Sequence, residues 1–262
     1  MKIVVCIKRV PATTNVKLDP VTNQLKREGV KSVINPFDLY ALELGVEFYE
    51  KYGGEIIALS MGPNSTEISL HEALACGATS AVLLTDPQFG GSDTWATSYI
   101  LTAAIKKIGN VDLVICGKQA IDGDTAQVGP GIAAHLNWQQ AINVSCTKRA
   151  IKNKIHVVRQ CETGYDIAEI SLPAVICVVK GINRPRIPTL KNVLKSLKIQ
   201  INTWGKDDLD LDINKIGLNG SPTKVINSSP LTLDKKEKLI IDEIPEKSAE
   251  DLLLELRKRS LI

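Results

Sequence analysis

The first half of the chain alternates short, continuously apolar runs with segments of helical periodicity, and this alternation limits the possible folds more than any other feature. The apolar runs are residues 3–7, 55–61, 80–84 and 111–116, and the helical patterns are residues 36–51, 65–76, 93–108 and 131–136. A strand that is apolar along its whole length is buried on both faces, as in a parallel sheet covered by helices. We therefore predict an α/β fold with a Rossmann-like, doubly wound and mostly parallel sheet.

The pattern changes near residue 140. Four further strand-like runs (residues 143–148, 154–160, 167–171 and 174–179) are separated by turn signals with no helix between them. This spacing predicts hairpins that extend the same sheet with antiparallel strands. Residues 181–244 have no strong periodicity, and residues 248–259 form an amphipathic helix whose acids precede its bases. This helix either lies on a partner protein, which the weakly periodic segment before it favours, or packs on its own domain.

Composition argues against several classes of function. The net charge is +3 and only 4% of the residues are aromatic, so neither a phosphate-backbone footprint nor a stacking surface for nucleic acid is indicated. The six cysteines form no C-x-x-C pair and lie mostly in apolar runs, which predicts free, structural thiols in a reducing compartment. No apolar run approaches the length of a membrane span or a secretory signal. We expect a cytoplasmic protein that does not insert into a membrane.

The stretch GKQAIDGDTAQVGP, residues 117–130, follows the fourth buried strand. Ligands of open parallel sheets bind beyond the carboxyl ends of the strands, and such ends are also followed by residues 8–10 and 61–64. We expect Gly117 and Gly123 to adopt positive φ and to let backbone amides approach a phosphate at a helix N-terminus. Asp122 and Asp124 would cap the turn or reach a ribose. Gly129 as N-cap with Pro130 at the first helical position would leave residues 117–128 as one nucleotide-wrapping loop, longer than the usual strand–helix connection.

The sequence NPFD, residues 35–38, is a strong helix start, and it serves either as a structural cap alone or also as a donor to an adenine or a ribose. The loop after the fourth strand is neither a Walker A loop nor a G-x-G-x-x-G motif. His71, His135 and His156 have no companions at ligand or triad spacing, so we predict neither a catalytic residue nor a metal site. A nucleotide site without an acid, base or nucleophile suggests that a bound cofactor carries the chemistry.

Seven stretches together resemble the beta subunit of electron-transfer flavoprotein. They are VVCIKRV, NPFDLYALE, ALSMGP, ALACGAT, DLVICGKQAIDGDTAQVGPGIAAHL, LPAVICVVKGINRPRIPTL and EDLLLELRKR. The likeness runs in order from residue 1 to about residue 200 and returns in the last 15 residues. It implies a subunit that pairs with an alpha subunit holding FAD at the interface. Simple members bind structural AMP in the beta subunit, whereas electron-bifurcating members bind a second FAD there.

DGDTAQVGP is similar to the bifurcating subgroup, which favours FAD over AMP. The resemblance then implies hydride transfer from NADH to this FAD. One electron would go to ferredoxin or flavodoxin and one to the alpha-subunit FAD, which would serve an acyl-CoA or lactate-type dehydrogenase.

Matching positions assign the cofactor contacts. They are Cys6, Asn35, Pro36, Phe37, Asp38, Met61, Gly117, Lys118, Gln119, Ala120, Ile121, Asp122, Gly123, Asp124, Thr125, Ala126, Gln127 and Val128. Leu190 matches the leucine that anchors the family on an acyl-CoA dehydrogenase, and it would suit a hydrophobic anchor in a basic rim with Arg186 and Lys191; its alternative is an ordinary buried leucine.

The resemblance divides the chain into three parts. Residues 1–180 would form the nucleotide-binding α/β domain, residues 181–204 the partner-recognition loop and helix, and residues 205–262 a C-terminal arm that contacts the alpha subunit. Two other functions stay open from the residues alone. One is a non-bifurcating beta subunit with structural AMP, and the other is a non-redox module that binds ATP or AMP without an alpha subunit.

Overall fold

The structure is a computed structural model that describes residues 1–12, 32–151, 153–226 and 244–262. The chain forms two compact units, Met1–Ile226 and Asn227–Ile262. The first unit includes residues 205–226, the beginning of the C-terminal arm that the family resemblance implies. Leu209 and Ile216 of this segment are buried in its core.

The strands of the described residues are β1 (Lys2–Cys6), β2 (Arg9–Pro11), β3 (Ser32–Ile34), β4 (Glu55–Met61), β5 (Ser80–Leu84), β6 (Leu113–Gly117), β7 (Gln139–Ile151), β8 (Lys154–Cys161), β9 (Gly164–Ser171), β10 (Ala174–Val178) and β11 (Asn202–Trp204). The helices are α1 (Pro36–Tyr52), α2 (Glu67–Cys76), α3 (Thr94–Ile108), α4 (Val128–Leu136), α5 (Leu190–Ser196), α6 (Gly217–Gly220) and α7 (Pro245–Lys258). None of these helices is long and apolar enough to cross a bilayer.

Nine strands form one sheet in the order β11-β5-β4-β1-β6-β10-β7-β8-β9. All neighbours from β11 to β7 are parallel, and only the β7–β8 and β8–β9 pairs are antiparallel. The predicted doubly wound α/β sheet with an antiparallel extension is thus confirmed.

One predicted hairpin strand is placed differently. β10 does not continue the antiparallel extension but returns to the centre, where it lies parallel to both β6 and β7. All five of its residues are buried. Its uniformly apolar sequence AVICV suits a central parallel position better than a half-exposed edge.

Alternate residues of β1 enter two separate cores. Ile3 and Val5 pack under α1 and α2, whereas Val4 and Cys6 pack under α3 and α4. Because successive side chains of a strand point to opposite faces, helices on both sides are needed to cover a strand with this sequence. The loops that follow the parallel strands consequently meet at one edge of the sheet.

The second unit contains α7. This helix begins with Pro245, has Glu246 in its first turn and Arg257 and Lys258 in its last. Leu252, Leu253 and Leu254 are exposed within it. The predicted final helix, residues 248–259, is therefore present and begins three residues earlier.

Candidate functional site

A cavity of about 570 Å³ lies at the carboxyl edge of the parallel sheet. Its floor is apolar, with Leu59 at the end of β4, Phe89 after β5 and Leu101 from α3. Its lining residues are Cys6, Ile7, Lys8, Asn35, Asp38, Leu59, Met61, Phe89, Gly91, Ser92, Asp93, Thr94, Thr97, Leu101, Cys116, Gly117, Gln119, Ala120, Gly123, Asp124, Thr125, Ala126, Gln127, Val128, Gly129 and Thr223. An apolar floor with convergent polar groups at the rim is typical of a cofactor site.

Most of the residues assigned to the cofactor line this cavity. They are Cys6, Asn35, Asp38, Met61, Gly117, Gln119, Ala120, Gly123, Asp124, Thr125, Ala126, Gln127 and Val128. The others, Pro36, Phe37, Lys118, Ile121 and Asp122, lie beside it and do not line it. The backbone N–H of Lys118 continues the sheet by donating to the Val178 carbonyl at 2.8 Å.

Asn35 joins the two loops that flank the cavity. Its side-chain amide donates to the Gln119 carbonyl at 2.8 Å and to Asp38 Oδ1 at 2.9 Å. Its Oδ1 accepts the Ile121 N–H at 3.2 Å. The residue is buried, so each of these bonds replaces water that the side chain has lost. Asn35 does precede α1, as predicted, but its side chain makes no cap hydrogen bond.

Asp38 ties the same region to β1. Its Oδ2 accepts the backbone N–H of Lys8 at 2.8 Å. Burial raises the pKa of Asp38 from 3.8 to about 7, although the hydrogen bonds from Lys8, Asn35 and Gly117 act in the opposite direction. Gly117 is required at this contact because a β-carbon there would overlap Asp38 Oδ1 and Phe37.

The loop after β6 differs from the expected backbone in two respects. Positive φ falls on Asp124 (54°) and Ala126 (55°) and not on Gly117 or Gly123. The prediction for the two glycines was wrong, because the close approach at Gly117 needs the absence of a β-carbon and no positive φ. Asp124 accepts a hydrogen bond from the Gln119 side chain, which holds the turn together.

The second difference is the start of α4. The helix begins at Val128 with Gln127 as N-cap, so the predicted N-cap Gly129 is already helical. Pro130 is tolerated at the third helical position because the N–H groups of the first turn have no partner within the helix. Close packing requires glycine at position 129, because a β-carbon there would overlap the Cys177 sulfur.

The opposite wall of the cavity comes from a segment distant in sequence. Asp93 caps α3 through Oδ1, which accepts the N–H groups of Trp95 and Ala96. Its Oδ2 accepts the backbone N–H and the hydroxyl of Thr223 at 3.0 and 2.8 Å. The Asp93 N–H donates to Ser221 Oγ at 2.8 Å. Asp93 thereby holds Ser221 through its backbone and Thr223 through its carboxylate, which keeps Thr223 at the cavity.

Sequence reasoning missed this wall. The loop after β5 also follows the carboxyl end of a parallel strand, so the rule applied to the other strand ends would have included Phe89 and Gly91–Thr94. Nothing in the sequence signals that Thr223, 130 residues further on, joins it.

Three thiols, Cys6, Cys116 and Cys177, are buried at the carboxyl ends of β1, β6 and β10. A hydrogen bond with Cys116, together with burial, raises the pKa of Cys177 well above its ordinary value. Neutral thiols of this kind are packing groups and poor nucleophiles. In the part of the chain that the structure describes, no cluster of three or more His, Cys, Asp or Glu could hold a metal ion.

A separate surface lies around Leu190, the first residue of α5. Leu190 is 75% exposed and Ile187 is 90% exposed. The loop before them is anchored by Arg186, whose guanidinium donates to Glu43 at 2.9 Å and to Glu50 at 2.7 Å. Leu190 is therefore not an ordinary buried leucine, and Arg186 is engaged with α1 instead of contributing a free charge to the rim.

The comparisons with known proteins agree with this architecture. The family model described as "Electron transfer flavoprotein domain" matches residues 22–209. The "Electron transfer flavoprotein subunit beta" of Thermoanaerobacterium thermosaccharolyticum is 44% identical over 100% of both chains. The "Caffeyl-CoA reductase-Etf complex subunit CarD" of Acetobacterium woodii is 45% identical over 87% of each chain. "Protein FixA" of Sinorhizobium fredii is 43% identical over 98% of this chain and 92% of the relative. The chain belongs to the electron transfer flavoprotein family, as a beta subunit.

Proposed function

We propose that the cavity between the loops after β1, β4, β5 and β6 binds FAD, and that the chain works as a bifurcating beta subunit. The main support is the open side of Gly123, which lines the cavity and has no atom within 4 Å of where its β-carbon would lie. FAD has more than twice the non-hydrogen atoms of AMP, so a mononucleotide would fill less of a cavity of about 570 Å³.

The donors and acceptors of the cavity fit a dinucleotide. Its apolar floor suits a ring system, and the polar loop 119–127 with the start of α4 suits ribose and phosphate groups. Three acids line the cavity, but each already accepts hydrogen bonds from the protein: Asp38 from Lys8 and Asn35, Asp93 from the start of α3, and Asp124 from Gln119. Their lone pairs are therefore largely directed away from a bound phosphate.

When bound, FAD supplies the redox chemistry, in which electrons from NADH pass singly to ferredoxin or flavodoxin and to the alpha-subunit FAD. The protein holds the cofactor and excludes water from its ring. The loop 119–127 and Asn35 orient the polar half of the cofactor, and Leu59, Phe89 and Leu101 shield its ring system from water. No side chain of the cavity is assigned a proton transfer.

The family supports an alpha subunit as one partner, and we propose a dehydrogenase as another. A beta subunit of this family pairs with an alpha subunit. The name of the Acetobacterium woodii relative joins it to a caffeyl-CoA reductase, which supports an acyl-CoA type dehydrogenase as the second partner. We assign the exposed Leu190 and Ile187 to that contact.

The cofactor content of the co-expressed alpha–beta complex tests the proposal. We expect about two flavins per heterodimer and oxidation of NADH that depends on both dehydrogenase and ferredoxin or flavodoxin. One flavin together with AMP would instead identify a non-bifurcating subunit. A colourless chain that binds ATP without an alpha subunit would identify a non-redox nucleotide module.

A further inference from the structure

The charges around the cavity are unbalanced for a ligand that carries phosphate. Among the described residues that line it, Lys8 has the only positively charged side chain, against the acids Asp38, Asp93 and Asp124. A phosphate enters such a site without help from a second cationic side chain. The position and current partner of the Lys8 ammonium therefore matter for phosphate binding, in addition to the loop 119–127 and the start of α4.

The backbone of Lys8 is held rigidly. Its N–H donates to Asp38 Oδ2 at 2.8 Å, and its carbonyl accepts the Asn35 N–H at 2.8 Å. Both partners are buried. Only the four-carbon side chain is left to move, and its tip can swing about a fixed base.

The tip is presently engaged outside the cavity. Lys8 Nζ lies 2.7 Å from Asp122 Oδ1. Asp122 does not line the cavity, whereas Lys8 does. The Lys8 side chain is 49% exposed. The Asp122 side chain is only 17% exposed, but water reaches the ammonium and screens the pair, so exchanging one anionic partner for another costs less than leaving the ammonium unpaired.

We propose that Lys8 exchanges Asp122 for a phosphate of the nucleotide, so that Asp122 acts as an intramolecular competitor of the ligand. This inference rests on the proposed nucleotide-binding function of the cavity. It makes Lys8 a phosphate-binding residue and Asp122 a residue that lowers the affinity for phosphate. The contact with Asp122 is itself a charge-assisted hydrogen bond at 2.7 Å, but the diphosphate of ADP offers the ammonium more negative charge and more acceptor oxygens than one carboxylate does.

The inference is tested by comparing ADP with adenosine, which differ in the phosphates alone. Calorimetric titration would use the alpha–beta complex freed of the nucleotide in this cavity. Lys8→Met should weaken ADP binding about 10- to 100-fold and leave adenosine binding within about twofold. Asp122→Asn should tighten ADP binding several-fold and leave adenosine unchanged. In the Lys8→Met background, Asp122→Asn should have no further effect.

Lys2→Met is the matched control, because Lys2 carries the same charge near the other end of β1, pairs with the carboxylate of Glu55 at 3.7 Å and does not line the cavity. It should leave both affinities unchanged. Equal losses for ADP and adenosine in Lys8→Met, an equal loss in Lys2→Met, or no gain in Asp122→Asn would each overturn the exchange. If the unaltered complex binds neither ADP nor adenosine, the proposed function fails as well. Unchanged unfolding midpoints would show that the variants remain folded.

Discussion

Gly129 lies directly against Cys177, so that a β-carbon on Gly129 would overlap the Cys177 sulfur. The contact sets how closely the start of α4 approaches β10, and therefore where the loop after β6 enters the cavity. Elsewhere in a helix, glycine is less favourable than alanine by about 1 kcal/mol. Close packing is the physical reason for glycine at this helical position.

Gly129→Ala should therefore destabilise the protein despite the better helix propensity of alanine. We expect the free energy of unfolding to fall by about 1–3 kcal/mol, because added volume in a packed interior forces the helix away from the sheet. Denaturant unfolding measures this change. Adding Cys177→Ala should restore part of the loss, since the other neighbours of the new β-carbon lie at 3.5 Å or more. Equal losses in the single and double variants would contradict the proposed contact.

Gly123→Val should prevent the cofactor from binding in the cavity without unfolding the subunit. No protein atom lies within 4 Å of the missing β-carbon, so the new side chain meets space that we assign to the cofactor. Its backbone is outside the positive-φ region, so valine adds no backbone strain there. We expect flavin content to fall several-fold while the unfolding free energy changes by less than about 0.5 kcal/mol. Gly123→Ala adds a smaller side chain at the same position. Full flavin occupancy in both variants would refute the close approach of the cofactor to the backbone of Gly123.

Asp38 should make stability depend on pH. Its folded pKa is raised from 3.8 to about 7, so between these values the unfolded chain releases a proton that the folded protein retains. The contribution of this group to stability is therefore greatest at low pH, falls as the pH rises through the window from about 4 to about 7, and is constant above it. A single such proton gives a slope of at most about 1.4 kcal/mol per pH unit.

Asp38→Asn removes this titration and should flatten the dependence of unfolding free energy on pH within that window. Denaturant unfolding at a series of pH values provides the measurement. Asp207→Asn makes the same chemical change at an exposed acid of the same unit and serves as the control for Asp38→Asn. A slope that survives Asp38→Asn would assign the pH dependence to other groups.

The sheet could be predicted because its strands are apolar along their whole length. Residues 3–7, 55–61, 80–84 and 111–116 correspond to β1, β4, β5 and β6 within two residues at either end. The Asp93 N-cap was equally predictable, since Asp before an apolar-periodic segment has few other roles. Each of these features depends on residues that are neighbours in the chain.

The features that could not be predicted depend on long-range packing. Pro130 favoured a later start for α4. The contact of Gly129 with Cys177 could not be predicted, because the two residues are far apart in the sequence and meet only in the folded protein. The same holds for Thr223, which reaches the cavity through Asp93 across 130 residues. The position of β10 was predicted wrongly because no helix precedes it, which suggested a hairpin. The strand lies at the centre of the sheet because all five of its residues are buried there.

Arg186 should stabilise the loop that leads to Leu190. Its guanidinium binds the buried carboxylate of Glu43 through two nitrogen atoms, at 2.9 Å each. Arg186→Met removes the charged partner of that carboxylate and leaves it the backbone N–H of residue 186 at 3.0 Å. We therefore expect a loss of about 2–3 kcal/mol in unfolding free energy, reduced from the fully buried case because Arg186 is partly exposed. Adding Glu43→Gln to the Arg186→Met variant should recover part of the lost unfolding free energy. Arg159→Met breaks an exposed pair with Asp166 and should cost much less than Arg186→Met.

Leu190→Ala should weaken the dehydrogenase contact and leave the fold unchanged. Leu190 is 75% exposed, so truncation removes little buried area and should change the unfolding free energy by less than about 0.5 kcal/mol. Truncating a large apolar side chain that anchors an interface typically lowers the binding free energy by more than about 1 kcal/mol. The concentration of dehydrogenase for half-maximal electron transfer should therefore rise about tenfold. NADH oxidation with an artificial dye should be unaffected. Leu218→Ala removes an equally apolar side chain that is 56% exposed at another position, and a comparable loss of coupling in that variant would argue against a specific role for Leu190.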